Sequence, residues 1–520
     1  MTAVYLKEMI VALVIAAVTF RIVKPIALRF STEVDFLRRR NVWLGLTVAA
    51  FLSPNFWLFT LVAYPLLLWA GRKDPNPVAL YLLLLHVIPP IPIGIPIVGI
   101  HALFEMDNYR LLSFSVLIPT ALRLRRTTSA SGRSKLDIMD MLLLGWGVVL
   151  VVQFIPPDLP GHVVLQDSFT NLLRRAFLFF VDVYVLYFVV SRSCLDRRAI
   201  LDALSAFCLS CAIMSSVAIF EFARNWLIYA DVATRWSGDP AFAFYLHRGD
   251  SLRAQATAGH SLVLGYLIAI AFGFWLYLKS YVSSGRSRFA MSILFWLGLL
   301  ATYSRGPWIG AIAIYLIFVA FGPRALPGLL RSVVMAALVV GAIFLSPLGD
   351  RIISVMPFMG GAVDIGSITY RQRLAEKSWE LIQQSPLFGD QLAYLKMEDL
   401  RQGQGIIDLV NSYAEVALFH GFVGLALFVG LLVLGLLKVY RMTREKMRSD
   451  PDFGLLGLGL AACIAGTLIM MVSCSFILGY EKMFYILAGL ATAYVRLGKK
   501  DQLPSQVRPQ SPGARALESR

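Results

Sequence analysis

An all-α, polytopic integral membrane protein is the fold class the sequence predicts, with about 12–15 transmembrane helices and a large extracytoplasmic loop carrying short helices. Three observations predict it. Of 520 residues, 58% are hydrophobic and 15% are charged, against roughly 25% charged in soluble globular chains. Apolar runs of about the length that spans a bilayer recur along most of the chain. Lysines and arginines gather in alternate short loops between those runs, which is how cytoplasmic loops are marked.

The runs fall near residues 5–27, 42–53, 55–71, 78–100, 109–121, 138–155, 173–191, 200–222, 258–279, 288–302, 305–321, 329–346, 413–437, 454–473 and 480–496. Arg21 and Lys24 close the first run and no small-residue cleavage site follows, so it is expected to stay as an anchor. Pro54 and Asn55 divide 42–71 into two short crossings or a hairpin entering from one side. The segment from Pro89 to Ile100 holds Pro89, Pro90, Pro92 and Pro96 with Gly94 and Gly99. No regular helix runs through it, which leaves a broken helix lining a cavity or a kinked loop.

The resulting organisation is an N-terminal transmembrane bundle over 1–250 and transmembrane helices with arginine motifs at their outer edges over 251–346. A large outward-facing loop follows over 347–412, then C-terminal transmembrane helices over 413–496 and a disordered cytoplasmic tail over 497–520. Of the 48 lysines and arginines, 32 fall in the alternate short loops and the tail, which sets the loops at 223–257 and 347–412 on the opposite, outer side. The formal charge of +16 is scattered between apolar runs rather than gathered on one water-facing surface, which excludes nucleic acid as a partner. The five cysteines make no disulfide scaffold, and Cys208 and Cys211, though spaced Cys-x-x-Cys, lie in an apolar run and read as packing. No internal repeat is visible.

The outer loop at 223–257 interleaves Trp226, Trp236, Phe244 and Tyr245 with Arg224, Asp231, Arg235, His247 and Arg248. Such a surface suits a carbohydrate, or is a belt at headgroup level. Arg253 stands on the side the positive-inside bias does not explain, just before Gly259 and His260. In the larger loop, Thr369 and Gln372 fit a capping box that starts a helix near Tyr370 and ends at Pro386. Arg371, Leu374, Ala375, Ser378 and Ile382 would then share its packing face, with Arg373 turned away. An arginine there needs a carboxylate of the protein or an anionic ligand. Asp450 and Asp452 beside Arg448 read as loop charges, Gly454, Gly457 and Gly459 as helix-packing glycines, and His86 and His420 as interhelical groups. No Walker, HExxH or GxSxG sequence is present, and the outer side has no clustered Asp, His or Cys, so neither metal nor cofactor is expected.

Three segments together resemble the O-antigen ligase and polymerase superfamily of bacterial envelope glycosyltransferases. They are Arg253-Ala254-Gln255-Ala256 leading to Gly259-His260-Ser261, Thr302-Tyr303-Ser304-Arg305-Gly306, and a longer stretch from Tyr370-Arg371-Gln372-Arg373 through Trp379 and Pro386-Leu387-Phe388-Gly389-Asp390 to Val410-Asn411-Ser412-Tyr413 and Gly421-Phe422-Val423-Gly424. The third is similar to the family's large periplasmic loop and the helix after it. Ligases of the family place a histidine where this chain has Val410, so the resemblance is closer to repeat-unit polymerases. It implies polymerisation, on the periplasmic face of the bacterial inner membrane, of oligosaccharide repeats linked to a polyprenyl diphosphate. It also implies flippase and chain-length or export proteins as partners. The implied roles are Arg253, Arg371 and Arg373 on the leaving diphosphate, Arg305 in support, and Asn411 and Tyr413 on sugar hydroxyls. His260, Asp408 or Glu415 would be the base. A ligase-type transfer and a transporter or flippase for the same lipid-linked sugars are the alternatives.

Overall fold

The computed structural model describes residues 3–96, 103–130, 136–153, 169–238, 245–248, 251–345, 365–401, 407–476 and 478–500. Its helices are α1 (Ala3–Ala27), α2 (Glu33–Leu52), α3 (Phe56–Lys73), α4 (Pro77–Leu84), α5 (Asn108–Leu112), α6 (Ile118–Ala130), α7 (Ile138–Val152), α8 (Phe169–Phe179), α9 (Val185–Ser193) and α10 (Arg197–Arg224). They continue with α11 (Ala230–Ser237), α12 (Ser261–Leu278), α13 (Gly285–Ala301), α14 (Arg305–Ala320), α15 (Ala325–Leu345), α16 (Ile365–Gln384), α17 (Ser412–Ser449), α18 (Pro451–Met470) and α19 (Lys482–Lys500). Two short antiparallel ribbons, 93–94 with 105–106 and 247–248 with 251–252, are the strands among the described residues. Five described helices, α1, α10, α12, α17 and α18, are long and apolar enough to cross a membrane, with shorter apolar helices beside them. The chain is an all-α polytopic membrane protein.

Polar residues in the loops start the helices. Thr32, Asn55, Asn76, Asp196 and Asp450 each accept a backbone N–H from the first turn that follows, satisfying donors that lipid could not. Where helices cross, glycine lets the backbones approach. A Cβ on Gly310 would lie 2.2 Å from Met470 and one on Gly457 2.2 Å from Thr443 and Tyr494, so these positions exist for packing. The five cysteines are free and buried.

Most expected spans correspond to helices, with two corrections. The run at 78–100 is helical only to Leu84 and continues as turn and extended chain to residue 96, because proline cannot donate to the helix ladder and disfavours helix in the residue before it. The helix of the large loop begins at Ile365, upstream of Thr369. The Thr369 capping box is therefore not formed, since a Thr-x-x-Gln pair inside a helix looks the same in sequence as one at its start. The tail at 501–520 lies outside the described residues.

Alternate loops collect at two opposite ends. At one end Trp236 donates to the Ser53 carbonyl (3.2 Å), Thr257 to the His86 carbonyl (2.6 Å), Ala254 N–H to Ala301 O (3.0 Å) and Val410 N–H to Ser475 Oγ (3.0 Å). The other end holds the loops rich in lysine and arginine, tied by ion pairs. There Arg192 meets Asp140 at 3.0 Å, Lys438 meets Asp137 at 2.8 Å and Arg197 meets Asp450 at 3.5 Å.

At that basic end, Arg39 is 4% exposed. It forks onto Asp74 (2.8 Å twice) and Asp202 (2.7 and 2.9 Å), which also accept from Asn76. Removing one member of a buried pair costs about 3–5 kcal/mol, because the remaining charges stay buried. Arg39→Ala should therefore lower the thermal midpoint of the detergent-solubilised protein markedly. An unchanged midpoint would show that Asp74 and Asp202 are satisfied without it.

Candidate functional site

The end opposite the basic loops gathers the chemistry. It is built on Glu221, fully buried in the last turn of α10, whose carboxylate accepts Ile228 N–H (3.1 Å) on one oxygen and Gln255 (3.0 Å) and Ala256 (2.8 Å) N–H on the other. This grip holds the 253–258 segment, where Ala256 sits at φ +45°, a conformation a non-glycine residue adopts only when the surroundings impose it. Arg253, at the near end of the segment, donates from Nη2 to Ser304 Oγ at 3.0 Å. Ser304 donates in turn to Thr302 O at 3.0 Å and directly precedes α14. Arg305 opens that helix, and its buried Nε has no hydrogen-bond partner among the described residues, an unusual state for a buried donor. Two guanidinium groups 52 positions apart in sequence are thus carried on adjoining elements.

His260 precedes α12 and accepts Leu262 N–H on Nδ1 at 3.2 Å. Burial, and then Arg253, push its pKa down to about 4, partly offset by Asp408. The ring is therefore neutral at physiological pH, and because Nδ1 receives a proton donor, the ring's own proton is on Nε2. It presents a donor, not a base.

Asp408 reaches the same place from the other side. Its Oδ1 accepts Val410 N–H at 3.1 Å and the Ser475 hydroxyl, while Val410 sits at φ +51°. Glu415, one turn into α17, accepts Phe476 N–H at 3.0 Å and lies within electrostatic reach of Asp408. Tyr394, on the 3₁₀ helix Ala393–Leu400, faces both carboxylates and Tyr370, and burial raises its hydroxyl well above the ordinary tyrosine range.

The remaining expected residues divide. Asn411 caps α17, accepting Tyr413 and Ala414 N–H on Oδ1 at 3.0 and 3.2 Å. Tyr413 was expected to orient a sugar, but its hydroxyl donates into α18, to Leu468 O at 2.6 Å. Arg371 was expected on the packed face and is exposed. Leu374, Ser378, Leu381 and Ile382 form the buried stripe, and Tyr370 packs against it, since an aromatic ring is buried at far lower cost than a guanidinium. Arg373 is exposed and 3.7 Å from Asp399. The described aromatics of the 223–257 loop mostly pack inward: Trp236 lies against Phe56 and Phe59, and Lys7 covers Trp226. Phe244 lies outside the described residues.

Beside Glu415 a cavity of about 430 Å³ opens between α7, α8, α17 and α19. Asp182 on its wall is the acid most deeply set in an expected span, and it is paired with Arg110 (2.9 Å) and Lys482 (3.0 Å). No three His, Cys, Asp or Glu side chains among the described residues are grouped as metal ligands.

Residues 289–429 match the family model described as O-antigen ligase. The matched stretch contains Arg305, Arg371, Arg373, Asn411, Tyr413 and Glu415; Arg253 and His260 precede it. No curated protein matches the chain. The match supports the O-antigen ligase and polymerase superfamily, and with it a glycosyltransferase-like enzyme acting on lipid-linked glycan in a bilayer.

Proposed function

We propose, from the premise that this chain carries an O-antigen ligase domain, that it polymerises saccharide repeat units linked to a polyprenyl diphosphate. The reaction takes place on the periplasmic face of the bacterial inner membrane. The observation that carries the reading is the chain of neighbours Arg253, His260, Asp408 and Glu415 at the end opposite the basic loops, with Arg305 directly after the Ser304 that holds Arg253. An acceptor hydroxyl gives its proton to a carboxylate, its oxygen attacks the anomeric carbon of the donor, and the bond to the diphosphate breaks. The leaving diphosphate takes up the negative charge, and fixed guanidinium groups stabilise it where it forms. His260 donates from Nε2 to an oxygen of donor or acceptor. In this reading Arg371 and Arg373, exposed on α16, guide the charged substrate as it enters.

Of the three base candidates, His260 has its basic nitrogen occupied, and Asp408 has one oxygen doubly held. Glu415 has one oxygen held and lines the cavity, which makes it the base. His260→Asn keeps an acceptor for Leu262 N–H and should leave transfer within about tenfold of wild type. A loss of roughly a hundredfold to ten thousandfold would return the base role to the imidazole.

Polymerase is preferred to ligase because Val410 occupies the place where ligases of this superfamily carry a histidine, and its N–H is tied to Asp408 and Ser475. A transporter is disfavoured by the pairing of Asp182 with two cations, which leaves it unavailable as a coupling-ion site. Because arginines meet the leaving charge, transfer is expected to be metal-independent and to survive a chelator. Activity that disappears and returns only with a divalent cation would contradict that. In cells, loss of the protein should leave single repeats where long chains are normally found. Unchanged long chains would refute the polymerase reading.

A further inference from the structure

A break in α17 follows His420, which lines the cavity beside Glu415. Gly421 takes φ +63° inside α17, and the segment Pro386–Asp390 fills the gap. Phe422 N–H donates to Pro386 O (2.8 Å), Val423 N–H to Leu387 O (3.1 Å) and Asp390 N–H to Leu418 O (2.8 Å). A Cβ on Gly389 would lie 2.5 Å from the α17 backbone, so the two segments meet glycine to glycine. Irregular backbone at such a depth is found where it lines a cavity. The break sets His420 against Gln153, Nδ1 to Oε1 at 2.5 Å, and edge-on to Trp146 at 5.0 Å.

The wall chemistry is specific. Trp146, Phe428, Phe476 and Tyr485 supply aromatic surface, and Glu415 and Glu481 supply carboxylates. Arg110 and Arg175 on the wall face Asp182, Glu415 and Glu481, and Arg110 and Lys482 are both committed to Asp182. A diphosphate would find no surplus of positive charge here. A sugar needs none: its C–H faces stack on rings and its hydroxyls donate to carboxylates. The volume of about 430 Å³ lies within the roughly 300–1,000 Å³ of small-ligand sites. Glu415 belongs to this wall and also neighbours Asp408, and Asp408 and Arg253 both act on His260.

We infer that this cavity is the acceptor subsite, holding the terminal sugar whose hydroxyl attacks, while the donor diphosphate lies on the Arg253 and Arg305 side of Glu415. The inference rests on the polymerase reading. It gives a reason for two chemically unlike sides of Glu415: the attacking sugar of a repeat is remote from its own diphosphate, whereas the donor's anomeric carbon is bonded to one.

The test uses the full chain in nanodiscs, the lipid-linked repeat as donor, and as acceptor the same oligosaccharide freed from its lipid by mild acid. Val151→Phe narrows the cavity without removing a polar group, and Glu481→Gln removes one carboxylate. Both should raise the KM for free acceptor by about tenfold or more and leave the KM for donor within about twofold, as loss of binding at one subsite requires. A rise in donor KM instead, or unchanged constants in both variants, overturns the acceptor assignment and leaves the polymerase reading standing. A wild-type protein that transfers nothing overturns both.

Discussion

Arg253→Ala is expected to reduce transfer roughly a hundredfold to a thousandfold, the cost of about 2.7–4 kcal/mol for losing one fixed donor to a developing anion. The protein should remain in the membrane at normal level, because Arg253 is only partly buried and the segment beside it is held by Glu221 through backbone groups. Arg253→Lys should recover little. The guanidinium is a planar fork held on Ser304 through Nη2, whereas an ammonium is a single point that cannot reproduce that fork. Arg371→Ala should cost less, about tenfold or 1.4 kcal/mol, since an exposed guanidinium acts through water. Rates in detergent or nanodiscs, normalised to folded protein, measure both. A fully active Arg253→Ala would remove this arginine from the site.

The second large effect is at Glu415. Glu415→Gln is nearly isosteric, and its amide oxygen still accepts Phe476 N–H, so the fold is preserved while the proton acceptor is lost. Loss of a general base costs roughly a hundredfold to ten thousandfold. The loss should appear in single-turnover transfer at saturating donor and acceptor, where binding no longer contributes. Asp408→Asn should cost less in that assay, as Asp408 acts through its hold on Ser475 and Val410 and through the charge it presents to His260. If the order is reversed, with Asp408→Asn inactive and Glu415→Gln near normal, the base is Asp408.

The helical membrane architecture was legible in the sequence because apolar runs must be long enough to cross a bilayer and because arginine and lysine mark alternate loops. Breaks at Pro54 and through Pro89–Pro96 were legible because proline acts locally. What could not be read depends on contacts distant in sequence. Nothing near Glu221 announces that its carboxylate grips Gln255 and Ala256, or that Arg253 reaches across to Ser304 beside Arg305. Tyr394 carries no motif and is found only by its position facing Asp408 and Glu415. Tyr413 lies within the family-like run, but side-chain direction sends its hydroxyl into α18. Arg371 falls in the angular sector of the buried stripe, yet Tyr370 takes the packing position and leaves the charge outside. The break at Gly421 is likewise invisible in an apolar run, since it exists only because Gly389 of a separate segment packs into it.

The most direct measurement is reconstitution: purified protein in nanodiscs, supplied with the lipid-linked repeat unit and no other enzyme. The account predicts a ladder of products differing by one repeat, with one polyprenyl diphosphate released for each bond formed. An intact donor pool, or diphosphate release without chain growth, would contradict it.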